Sequence, residues 1–174
     1  MSESNSNKGP VVVGVDGSPT SLAALDFSFD EAAHRGTGLL VVSAFELPEM
    51  WSLTSGLPVS CTVEEIQQSM LQHTRRVVTE ALGDRMTAHG APDVEILAEG
   101  GSPARVLVSA AAAVSSPLLV VGSRGRGGFR RMMLGSVSLS CVLHAPCPVT
   151  VVRPAADQDR VETSKLSGFP AAIL

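Results

Sequence analysis

Short apolar runs rich in β-branched residues alternate with stretches of helical periodicity along most of this chain. That alternation restricts the fold more than any other feature. Residues 11–15, 39–45, 118–121 and 149–152 are near-continuous apolar runs, the pattern of strands buried on both faces. Residues 93–99 alternate instead, with Val94, Ile96 and Ala98 set against Asp93, Glu95 and Glu99, which suits a strand with one solvated face near a sheet edge.

Helix signals lie between these runs. Ser18 suits an N-cap and Pro19 the first helical position, Leu22, Leu25, Phe29 and Ala32 recur at helical spacing, and Gly36 and Gly38 end the segment. Thr62 with Glu65 three residues later forms a capping box, from which a second helix is expected to run toward Gly90. A third starts at Ser102 and Pro103, with Val106, Leu107, Ala110 and Val114 facing inward. A fourth spans residues 136–144, because Pro146 and Pro148 forbid its continuation. Strands that alternate with helices imply parallel pairing through right-handed crossovers, hence a single-domain α/β fold of about five strands. The organisation is read as an N-terminal disordered tail over residues 1–9, one domain over 10–153, and a C-terminal tail over 154–174 whose apolar ending 169–174 has no evident role. Residues 47–60, with Pro48, Trp51, Gly56 and Pro58, read as a long loop.

Composition removes several function classes. At 174 residues and 44% hydrophobic content there is enough apolar material for one sizeable core. A formal net charge of −4 offers no overall field for nucleic acid or an anionic membrane, so an anion site must be local. The polar first nine residues and the lack of any run long enough to span a bilayer lead to the expectation of a cytoplasmic protein. Cys61, Cys141 and Cys147 lack CxxC spacing and are read as structural thiols. His73, on or beside the apolar stripe of the second helix, is read as a packed or boundary residue without a functional role.

Between the fourth strand and the fourth helix, five glycines fall in the fourteen residues from Gly122 to Gly135. Glycine permits positive φ and lets a ligand approach the backbone without meeting a Cβ, so consecutive N–H groups can converge on phosphate oxygens. The helix that starts at Ser136 adds its unpaired first-turn N–H groups and the positive end of its dipole. Ser136 and Ser138 offer hydroxyl donors in that same turn. Four of the thirteen basic residues, Arg124, Arg126, Arg130 and Arg131, lie in this loop with no acid among them. A polyanion is therefore expected there. Three other readings compete: a flexible connector, an arginine-glycine tract that touches RNA, and a Rossmann dinucleotide turn. The first two do not require a strand before the loop and a helix after it. The Rossmann fingerprint fails because Arg130 fills the position of its last glycine, and a Walker P-loop fails because no Gly-Lys-Ser/Thr occurs.

The spacing Gly122-x2-Gly125-x9-Gly135-Ser136 resembles the ATP-binding motif of the universal stress protein family, G-x2-G-x9-G-S/T, and the match is complete. Val13-Gly14-Val15-Asp16, Gly101-Ser102-Pro103-Ala104 and the run 147–152 (Cys-Pro-Val-Thr-Val-Val) resemble the same family in the same order, over roughly residues 10–153. The resemblance implies a Rossmann-like, adenine nucleotide alpha hydrolase-like sheet ordered 3-2-1-4-5 with helices on both faces, and a homodimer through residues 149–152. It implies that Asp16 meets ribose or adenine, although an Asx turn with Gly17 and Ser18 is the plainer role for that carboxylate. Ala44 matches the position whose backbone meets the adenine edge, with Gly14 and Val15 lining the same pocket. Gly122 and Gly125 match the glycines beneath ribose and phosphates, and Gly135, Ser136, Val137 and Ser138 the turn at the β- and γ-phosphates. Mg2+ is expected with the ATP.

The function expected is regulatory, an ATP-bound conformation that serves a stress response. Slow ATP hydrolysis or phosphoryl transfer is the enzymatic alternative, with Arg124, Arg126 or Arg130 neutralising charge but no Glu or Asp beside the motif to activate water. A structural or interaction protein without nucleotide is the third.

Overall fold

The computed structural model describes residues 9–45, 62–125 and 134–154. The expected loop at 47–60, residues 1–8 and 155–174 of the two tails, Cys61, Arg126, Arg130 and Arg131 lie outside them. The elements run β1 (Val11–Gly14), α1 (Pro19–Arg35), β2 (Leu39–Phe45), α2 (Val63–Leu82), a 3-10 turn (Gly83–Thr87), β3 (Val94–Gly100), α3 (Pro103–Ala113), β4 (Leu119–Gly122), α4 (Ser136–His144) and β5 (Val149–Val152). The sheet order is β3-β2-β1-β4-β5, and every pairing is parallel.

Alternation of side chains along the central strands divides the core into two layers. Val11, Val13 and Val15 face one side, where Leu25, Phe29 and Ala32 of α1 and Val78 and Leu82 of α2 cover them. Val12 faces the other, against Leu107, Ala110 and Ala111 of α3 and Cys141 of α4. Each fully buried Val or Leu contributes about 1.5–3 kcal/mol of transfer free energy, so apolar residues on both faces of β1 and β4 hold the sandwich together. Every buried polar side chain among the described residues is a serine or threonine. No described helix is long and apolar enough to cross a membrane.

Helix ends follow the local chemistry. Ser18 caps α1 by accepting from the Ser21 N–H, and Gly36 closes the helix in the left-handed region at φ 62°. The capping box at Thr62 and Glu65 forms. The second helix stops at Leu82, short of the expected approach to Gly90, because Gly83 takes φ 50° and ψ −132° and turns the chain out of the helical path. Arg85 then anchors the 3-10 turn to α1. Its guanidinium pairs with Asp26 and Asp30 and stacks 4.9 Å from the centre of the Phe29 ring. The edge position expected for the alternating strand holds for β3, whose outermost charged residues Glu95 and Glu99 are exposed.

Candidate nucleotide site

Strands β1 and β4 are neighbours, but α1 leaves β1 over one face of the sheet and α4 leaves β4 over the other. Such a switch point opens a crevice at the carboxyl ends of the two strands. A cavity of about 520 Å³ lies there. That volume is in the range of small-molecule sites.

All eleven residues expected at a site line this one cavity. Gly14, Val15 and Asp16 come from the end of β1, Ala44 from β2, Gly122, Arg124 and Gly125 from the end of β4 and the loop after it, and Gly135, Ser136, Val137 and Ser138 from the entrance to α4. Sequence reasoning missed the apolar wall. Val42, Pro103, Leu107, Val121 and Leu134 line the cavity as well, together with Ser21. Val42 and Val121 are legible as strand positions and Pro103 and Leu107 as positions on α3, but only the sheet order brings them to the same crevice.

The glycines are there for closeness. A Cβ on Gly14 would lie 2.9 Å from Leu107 Cδ1, and one on Gly122 would lie 2.8 Å from the Thr20 carbonyl carbon and oxygen. At Gly125 a Cβ would meet Asp16 Oδ2 at 2.9 Å, so the loop crosses directly over the carboxylate. At Gly135 it would stand 3.3 Å from both Arg124 Cα and Ser123 O.

Asp16 does form the Asx turn that competed with a ligand role. Its Oδ1 accepts from the Ser18 N–H at 2.9 Å and from the Ser18 hydroxyl at 2.6 Å, while Oδ2 faces Gly125. One carboxylate oxygen is thus committed to the turn and the other is turned toward the crevice.

The cradle itself is narrower than the expectation. Gly135 donates its N–H to Ser123 O at 2.8 Å, so this amide is already used. The buried Ser138 hydroxyl donates to Gly122 O at 2.6 Å and ties α4 to the end of β4, so it is no phosphate donor. What remains is the first turn of α4. Leu139 makes the first helical bond, to Gly135 O at 2.9 Å, and Gly135 as N-cap has no side chain to cap with. The N–H groups of Ser136, Val137 and Ser138 therefore have no partner among the described residues, and all three residues line the cavity. Beside them, fully buried Ser123 keeps a hydroxyl without a partner among the described residues.

Thiol chemistry has no place here. Burial pushes the Cys141 thiol up to about 11 and also raises that of Cys147, partly offset by a backbone hydrogen bond at Leu119, so both stay protonated near neutral pH. Among the described residues no group of three His, Cys, Asp or Glu side chains is placed to hold a metal ion.

A model of the Universal stress protein family matches residues 9–153. A universal stress protein of Mycobacterium tuberculosis is 42% identical over 147 residues, which cover 83% of this chain and 45% of that protein. The chain thus spans less than half the length of its mycobacterial relatives. A universal stress protein of Thermus aquaticus is 34% identical over 144 residues, which cover 82% of this chain and 97% of that one. Among solved structures, a universal stress protein in complex with cAMP is 27% identical, with a TM-score of 0.58 over 85% of this chain and 98% of that one. Sequence match, sheet order and crevice agree: the chain belongs to the universal stress protein family.

Proposed function

We propose that this protein is an ATP-binding regulatory protein whose nucleotide occupies the crevice between β1 and β4. The observation that carries the reading is the open first turn of α4: three consecutive N–H groups at the positive end of a helix dipole, beside a cavity of about 520 Å³. A phosphate would accept from Ser136, Val137 and Ser138 N–H, with Arg124 adding charge. The apolar wall of Val42, Leu107 and Val121 suits a base, and the Asp16 oxygen beside Gly125 suits a ribose hydroxyl. The relative solved with cAMP supports an adenine nucleotide as the ligand class. Mg2+ would accompany the triphosphate, which supplies its own oxygen ligands.

Isothermal titration with ATP, AMP and cAMP at physiological magnesium is the test. Dissociation constants for ATP no tighter than millimolar would sink the reading, and a preference for AMP or cAMP would replace the triphosphate by a monophosphate.

Catalysis is the second reading, and slow at most. Asp16 is the one carboxylate among the described residues that line the cavity, and in this reading it lies at the ribose rather than at the phosphates, so turnover well below the roughly 1–100 per second of ordinary kinases is expected. Assembly as a homodimer belongs to the same proposal. Among the described residues β5 pairs only with β4, and the adjacent α4 exposes Leu139, Val142 and Leu143 at 45%, 49% and 67%. An apolar edge of this kind invites pairing with a second copy. Light scattering at micromolar concentration should return twice the chain mass; a monomer there rules this assembly out.

A further inference from the structure

Thr20 stands on the second residue of α1 and does not line the cavity, yet it connects the two walls of the crevice. Its hydroxyl donates to the Arg124 carbonyl oxygen across a sequence separation of 104 residues. Close packing accompanies the bond, since Gly122 runs so near the Thr20 backbone that a Cβ there would stand 2.8 Å from it.

A threonine hydroxyl has one proton. A carbonyl oxygen only accepts, so that proton goes to Arg124. Ser18 spends its own on Asp16 Oδ1 at 2.6 Å, so no proton is left for the 3.1 Å contact between the Ser18 and Thr20 hydroxyls. Thr20 therefore holds Arg124 independently of the Asp16 turn. In a planar trans peptide the carbonyl and the following N–H point in opposite directions. A carbonyl fixed against α1 thus turns the Gly125 N–H away from α1.

We propose that Thr20 is a positioning residue for the phosphate loop, orienting the Gly125 N–H as a donor to a phosphate oxygen. This rests on the nucleotide reading above. Nothing about Thr20 touches ligand; it acts through the Arg124–Gly125 peptide.

The test follows ATP and adenosine binding by amide nuclear magnetic resonance titration of the full chain, in wild type, Thr20→Val and Thr20→Ser, with circular dichroism to confirm folding. The valine variant keeps the shape and loses the donor. It should bind ATP about fivefold more weakly, the worth of one hydrogen bond. Adenosine, without phosphates, should bind it as wild type, and the serine variant should recover ATP binding. At saturating ATP the Gly125 amide proton should move downfield in wild type, as a hydrogen-bond donor does, and by clearly less in Thr20→Val. A folded Thr20→Val that binds ATP like wild type, or that loses ATP and adenosine equally, overturns the assignment to Thr20. A wild type that binds no adenine nucleotide overturns the functional reading instead.

Discussion

Two helices start at the same crevice, one after each central strand, and their first turns are finished in opposite ways. At α1 the capping is internal: Ser18 accepts from the Ser21 N–H, Asp16 accepts from Ser18, and Pro19 brings no N–H to the first position. At α4 the N-cap is Gly135, and no side chain caps the turn. The first helix end is capped by its own sequence, and the second keeps donors open to water or to a ligand. A capped helix end is worth about 1 kcal/mol, so leaving α4 open is a stability cost that the proposed nucleotide would offset.

The sharpest way to break this contrast is to put a charge at the open end. Gly135→Glu should weaken ATP binding about a thousandfold, since like charges ~4 Å apart near a protein surface repel by about 4 kcal/mol. Titration calorimetry checks it, and near-normal affinity would mean that phosphate lies elsewhere. Next comes the seam between the two helix starts. Gly122→Ala places a methyl 2.8 Å from the Thr20 backbone, and overpacking of this kind costs about 1–3 kcal/mol, read by urea denaturation. Removing the cap from the closed end, Ser18→Ala, should cost about 1 kcal/mol of stability. The change in ATP affinity should be smaller than the change in stability; the reverse order would make the closed end part of the ligand site. The smallest effect belongs to Ser136→Ala, which removes one exposed hydroxyl but no amide and should cost about 0.5–1 kcal/mol of ATP affinity with unchanged melting. If it matches Gly135→Glu, the side chains rather than the backbone hold the ligand.

Much of this was legible because the signals are local. Val149–Val152 and Ser136–His144 fall where the run of β-branched residues and the prolines at 146 and 148 place them. The glycine spacing points to the loop because glycine's conformational range is a property of the residue itself. The difference at the second helix has a local cause too: its apolar period continues past Gly83, but a glycine can as well end a helix as sit in one, and here it ends it. The state of individual donors was not legible. Ser136 and Ser138 look equivalent in the sequence, yet one is exposed at the cavity and the other is buried and spent on Gly122 O.

By itself the sequence determined the kind and order of elements, the capped start of α1, and which loop could carry an anion, because each follows from side-chain period, capping chemistry or backbone freedom within a few residues. Only the tertiary structure decided which amides stay open, which oxygen of Asp16 faces the crevice, and that Thr20 reaches Arg124. A hydrogen bond depends on who arrives within about 3 Å, and partners a hundred positions apart meet there only after the strands have chosen their neighbours.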